Sequence, residues 1–152
     1  MIRTLVVDDE ALARERIISL LKKENDIEVV GECSDGEEAL NKINNLKPDL
    51  VFLDIQMPMM SGVDVIKNLS DYLPEVIFVT AYDEYAVEAF EMNAIDYLLK
   101  PFDQERFFKT LARARQRILA NSTNEISEKL NNLFLTFSHI KPEEKYLTKF
   151  VI

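Results

Sequence analysis

Residues Leu50–Gly62 read "LVFLDIQMPMMSG", a run of four apolar residues that stops abruptly at the carboxylate of Asp54. A strand that is apolar along its whole length is buried on both faces, as the strands of parallel sheets are, whereas a strand with one wet face alternates. Ending such a strand on a charge is costly unless the charge emerges at the sheet's edge among compensating groups.

On either side of this stretch, short apolar runs rich in β-branched residues recur at Ile2–Val7, Ile27–Cys33, Val76–Val79 and Ala94–Leu99, each followed by a helix-type segment. Ala13, Ile17, Leu20 and Leu21 stand at i, i+4, i+7 and i+8, and Ala39, Ile43 and Leu46 repeat that helical spacing. Asp35 with Glu38, and Ser61 with Asp64, set a capping side chain three residues ahead of an acid, as helix starts prefer. Strand then helix, five times over, predicts a doubly wound α/β domain ending near Leu119, its five-stranded parallel sheet covered by helices on both faces. In such a sheet the ligand site lies beyond the carboxyl ends of the strands, where strand order reverses. If the order is 2-1-3-4-5, the first and third strands meet at that point.

Composition narrows the function classes. At 152 residues and 47% hydrophobic, the chain can build one domain with a real core plus a short extension. Its longest apolar runs fall far short of the roughly 20 residues a membrane span needs, and Met1–Thr4 leads straight into a strand, so neither a signal peptide nor an anchor is expected. The lone Cys33 sits in an apolar strand and reads as structural, which suits a reducing, cytoplasmic setting. A net charge of −9 should repel nucleic acid. Arg113, Arg115 and Arg117 alternate with Ala and Gln around a helix and read as a salt-bridging surface rather than a phosphate grip.

The polar residues gather at the strand ends: Asp8-Asp9-Glu10 after the first strand, Asp54 after the third, Thr80-Ala81 after the fourth, Lys100-Pro101 after the fifth. Each has a bland explanation alone, as cap or solvated charge. Together, Asp8, Asp9 and Asp54 within ~5 Å would repel by about 3 kcal/mol per pair at an effective dielectric near 20. Either their pKa values rise or a cation sits among them. An oxygen-only set with no His or Cys suits Mg²⁺, or Mn²⁺, better than Zn²⁺. Beside a metal and a lysine, Asp54 can attack phosphorus to form an aspartyl phosphate. Lys100 would balance phosphoryl charge while the Thr80 hydroxyl and Ala81 N–H donate to its oxygens.

Through "VVDDE" (6–10), "VFLDIQMPMMSG" (51–62), "VIFVTAYDE" (76–84) and "DYLLKPF" (96–102), the chain resembles the receiver domain of bacterial two-component response regulators over about residues 1–120. The resemblance implies the 2-1-3-4-5 order, with Asp54 as phosphoacceptor for a sensor histidine kinase. It implies Asp9 as direct metal ligand, Asp8 as ligand through water or charge partner, and Gln56 as backbone-carbonyl ligand. Thr80 becomes the switch hydroxyl, Lys100 the phosphate-binding lysine, Tyr97 the aromatic that turns inward with Thr80, and the Lys100–Pro101 bond cis. By the same resemblance the added charge controls homodimerisation through helix four, strand five and helix five. Asn93 stands where many receivers have glycine, and asparagine is the next-best residue for a left-handed helix end. The stretch 80–107 looks like receivers joined to LytTR-type DNA-binding domains, so DNA would be met through an effector domain and not by this chain itself.

Two competing functions can be weighed. A phosphatase of the haloacid dehalogenase type also attacks phosphorus with a strand-end aspartate beside Mg²⁺, but it needs an acid two residues on, where this chain has Gln56. A degenerate receiver that only binds partners would not need the full Asp8, Asp9, Asp54, Thr80 and Lys100 set.

Beyond the receiver, Asn121-Ser-Thr-Asn124 is expected to break the helix, and Ser122 with Glu125 offers a capping box for a new segment within a 121–144 linker. Ile126, Leu130, Leu133, Phe134 and Phe137 line one face of it, either packing on their own domain or meeting a partner. His139 reads as solvent-exposed. "KYLTKFVI" (145–152) reads as a strand, the start of a truncated effector domain or a terminal strand of this chain's own.

Overall fold

The sheet takes shape as its pattern predicts. In the computed structural model, which describes residues 1–137, the elements run β1 (Ile2–Val7), α1 (Ala11–Leu21), β2 (Ile27–Cys33), α2 (Gly36–Leu46), β3 (Leu50–Leu53), α3 (Gly62–Lys67), β4 (Glu75–Thr80), α4 (Ala86–Glu91), β5 (Asp96–Leu99) and α5 (Gln104–Phe137). A single 3₁₀ turn, Asp83–Tyr85, leads into α4. All five strands are parallel in the order β2-β1-β3-β4-β5. The reversal therefore lies between β1 and β3.

Residues of β3 alternate between two cores. Val51 and Leu53 pack with Ala39 and Ile43 of α2 and Val63 and Val65 of α3 on one face. Phe52, between them, stacks on Phe107 of α5 across the other, ring centroids 5.5 Å apart. All four β3 residues are fully buried, which is why the strand tolerates no polar residue before Asp54.

The helix starts match their sequence signals. Asp35 accepts from the Glu38 N–H at 2.8 Å, and Ser61 with Asp64 forms a complete capping box. Asn93 adopts φ 61°, the left-handed conformation expected of it after α4. β5 is shorter than the expected 94–99 because Ala94 bonds back to Ala89, and the sheet is entered only where the Ile95 N–H reaches the Val76 carbonyl.

One expectation is corrected. Residues 121–124 do not break the helix, and no new helix starts at Ser122: α5 is continuous for 34 residues. Asn, Ser and Thr cost only about 0.5 kcal/mol each in a helix relative to Ala, and no Gly or Pro occurs between Gln104 and Phe137. The first compact unit, Met1–Ala114, holds the sheet; the second begins at Arg115. His139 and the 145–152 strand expectation lie outside the described residues. Among those residues, no helix is long and apolar enough to cross a membrane.

Candidate functional site

Backbone hydrogen bonds carry the strand ladder one residue beyond three of the strands and set the site. The Asp54 N–H donates to the Val7 carbonyl at 3.0 Å, that of Asp8 to Cys33 at 3.1 Å, and that of Lys100 to Thr80 at 2.7 Å. Asp8, Asp54 and Lys100 thus stand at one end of the sheet, at β1, β3 and β5. Gly62 lets the chain turn close over this end: a Cβ there would lie 2.3 Å from the Asp54 carbonyl oxygen, so no other residue fits without moving Asp54.

The expected carboxylate cluster is assembled. One oxygen from each of Asp8, Asp9 and Asp54 lies within 4.8 Å of the others. Asp8 is 1% and Asp54 4% exposed, whereas Asp9 is open to solvent. Lys100 Nζ donates to Asp8 Oδ2 at 2.7 Å and stands 3.6 Å from Asp54 Oδ2. Asp8 Oδ1 accepts from the Glu10 N–H at 2.9 Å, and Asp54 Oδ1 from the Gln56 N–H at 3.2 Å.

Charge and burial pull these groups apart. Burial, joined by repulsion from Asp8, pushes the Asp54 carboxyl up to about 7 against the opposing pull of Lys100. Burial alone would lower the Lys100 ammonium, but its bond to Asp8 and the charge of Asp54 outweigh that and hold it raised. The excess negative charge is what a hard dication would neutralise, and the all-oxygen donor set of Asp8, Asp9 and Asp54 fits Mg²⁺ or Mn²⁺. Cys33 takes no part: burial pushes its thiol up to about 12.

A cleft of about 400 Å³ opens over the cluster, lined among others by Asp9, Asp54, Gln56, Ala81, Tyr82 and Lys100. Ala81 faces it, but Thr80 is fully buried, and its hydroxyl accepts from the Tyr82 N–H at 3.4 Å. The Tyr97 hydroxyl donates to the Tyr82 carbonyl, tying β5 to the loop after β4. The Lys100–Pro101 bond is cis, as the motif implies.

Sequence reasoning missed two features. Gln56 Nε2 donates to the Tyr85 hydroxyl at 2.5 Å, joining the loops after β3 and β4. Asp96 accepts from Arg106 at 2.9 Å and Thr110 at 2.7 Å, and from Arg113 at 3.1 Å, which anchors α5 on β5 and bears out the salt-bridging expectation for Arg113. The Arg113 stripe was the only sequence signal for that anchor, because the partner acid lies 17 residues away.

The family described as the response regulator receiver domain matches residues 4–112. The chain belongs to this family. Among receiver-containing relatives it is 52% identical over 117 residues to the transcriptional regulatory protein BtsR of Escherichia coli strain K12, a match covering 76% of this chain and 49% of BtsR. The chain thus spans about half the length of the curated relatives it matches. Two solved receivers resemble it closely. The receiver of AraT from Geobacillus stearothermophilus superimposes with TM-score 0.73 at 38% identity, covering 80% of this chain and 99% of that one. The regulatory domain of mrkE from Klebsiella pneumoniae gives 0.72 at 35% identity, covering 78% and 98%.

Proposed function

We propose that this receiver is a phosphorylation switch in which Asp54 takes a phosphoryl group from a sensor histidine kinase. The observation that carries the proposal is the position of Asp54: a carboxylate 4% exposed at the end of a central strand, beside two further carboxylates, with an ammonium 3.6 Å away.

In the transfer, one Asp54 oxygen bonds to phosphorus as the phosphorus–nitrogen bond of the donor breaks, and the departing imidazole keeps the electron pair and gains a proton. The attacking group must be the carboxylate, and Lys100 favours that form. Held by Asp8, Asp9, Asp54 and the Gln56 carbonyl, Mg²⁺ or Mn²⁺ would offset the negative charge of both carboxylates and phosphoryl oxygens. Lys100 and the Ala81 N–H then contact the phosphoryl oxygens; Thr80 rotates its hydroxyl from Tyr82 towards them, and Tyr97 follows into the space vacated.

The output is read as homodimerisation through α4, β5 and α5, controlling an attached DNA-binding domain of the LytTR type in transcription regulation. Under this proposal the receiver occupies 1–120 with a linker to 144, and the protein works in the cytoplasm. Gln56 at the second position after Asp54 cannot serve as a general acid, which disfavours a phosphatase.

Incubation with a small phosphodonor and Mg²⁺ should raise the intact mass by one phosphoryl group in the wild type but not in Asp54→Asn. Unchanged mass of the wild type with several donors would refute the switch.

A further inference from the structure

The Asp8–Lys100 pair is held from outside the carboxylate cluster, and both of the residues that hold it come from α1. Arg14 Nη1 donates to the backbone carbonyl of Asp8 at 2.7 Å, and its Nε donates to Glu32 of β2 at 2.8 Å. The Arg14 side chain is only 16% exposed, so this fork belongs to the fold rather than to the solvated surface. Two residues on, Arg16 Nη2 donates to the Phe102 carbonyl at 2.9 Å, and its guanidinium lies 5.1 Å from the centre of the Phe102 ring, which stacks in turn on Phe107. Residues two apart on a helix do not share a face, which is how one short helix reaches β1 and β2 with one arginine and the turn after β5 with the other.

Each contact adds a second tie to a residue the sheet holds at one point. Asp8 gives its N–H to Cys33, and Arg14 fixes the same residue by its carbonyl. Lys100 gives its N–H to Thr80, but the turn after it is not closely packed on α1: a pocket of about 330 Å³ is lined by Ala13, Arg16, Ile17, Lys100, Pro101 and Phe102. Arg16 bridges α1 to that turn. We propose that Arg14 and Arg16 are positioning residues for phosphoryl transfer, Arg14 fixing the Asp8 carboxylate for a divalent cation and Arg16 fixing the reach of Lys100 towards Asp54. The proposal rests on Asp54 being the phosphoacceptor, but metal binding and lysine reactivity read the two braces without any phosphodonor.

In calorimetric titration of the full chain with Mg²⁺, Arg14→Gln should weaken binding about tenfold, the size usual for a group that orients a metal ligand. The sign is diagnostic, because removing a positive charge near the cluster would by itself tighten a cation. Arg14→Lys keeps the charge but loses the fork, and should weaken Mg²⁺ as well. Arg16→Gln should not weaken Mg²⁺; it should loosen Lys100, raising its trace acetylation by acetic anhydride about threefold relative to the exposed Lys109. Arg16→Lys should do the same. With a small phosphodonor at saturating Mg²⁺, Arg16→Gln should slow phosphorylation about tenfold. The lysine variants keep the charge and most of the side chain, so they carry the test if a glutamine variant does not fold. Mg²⁺ binding at least as tight as wild type in the Arg14 variants overturns the brace on Asp8. Wild-type labelling of Lys100 in Arg16→Gln, or its restoration by Arg16→Lys, overturns the brace on Lys100. A wild type that binds Mg²⁺ but takes no phosphoryl group refutes the switch at Asp54 and not the braces.

Discussion

The Lys100 ammonium is bonded to Asp8 at 2.7 Å, and this pair spans the reversal of the sheet from β5 to β1. Among the described residues Lys100 is the cation paired with the Asp8 and Asp54 carboxylates, so its removal leaves buried negative charge uncompensated. Lys100→Met should lower unfolding free energy by about 1–3 kcal/mol in urea titrations at neutral pH without divalent cation. Millimolar Mg²⁺ should restore part of the loss. A variant as stable as the wild type would mean that the cluster does not depend on Lys100.

Asp54 gives a pH signature of opposite sign to most acids. Its folded pKa, about 7, lies above the ordinary carboxylate value of 3.8, so between these values the folded chain holds the extra proton and stability falls as pH rises. Asp54→Asn should therefore stabilise the cation-free domain by on the order of 1–3 kcal/mol above pH 7, with the gain fading as pH drops towards 4. Mg²⁺ should stabilise the wild type and leave the variant much less affected. Denaturation midpoints at pH 5 and pH 8 check both statements; a gain independent of pH would contradict them.

Asp96 behaves in the ordinary direction. Burial raises its carboxyl, but hydrogen bonds from Arg106 and Thr110 outweigh this and hold it lowered to about 2. A depressed pKa contributes stability that is fully present above about 4 and is lost as pH falls towards 2. With Arg106 38% exposed the contribution is discounted, and Asp96→Asn should cost about 1–2 kcal/mol at pH 7. The difference from wild type should close in acid titrations below pH 4, and a constant difference would assign the effect to packing alone.

Much of this could be read from the sequence because the relevant physics is local. The apolar run of β3 fixes burial on both faces, and a strand-end acid has only the sheet's edge to go to. Ser61 and Asp64 act within one turn, and Asn93 meets a backbone demand that few residues satisfy. What escaped was decided by neighbours distant in sequence. Nothing in "TAYDEYA" marks Tyr85 as the partner of Gln56, since their meeting depends on two loops brought together by β3 and β4. Gly62 looks like a turn residue and is instead the point where the chain passes against the Asp54 carbonyl. The helix across 121–124 was misjudged because several weak helix formers in a row suggest a stop, while only Gly or Pro costs enough to enforce one.

Trapping the acyl phosphate identifies the residue that takes the phosphoryl group. The chain is treated with a small phosphodonor and Mg²⁺ and reduced with borohydride, which converts an aspartyl phosphate to homoserine; the peptides covering residues 4–14 and 50–62 are then sequenced by mass spectrometry. Homoserine at position 54, absent without donor and absent from Asp8 and Asp9, is the expected result. Reduction product at Asp8 or Asp9 instead, or at none of the three with the chain still folded, would contradict Asp54 as the phosphoacceptor.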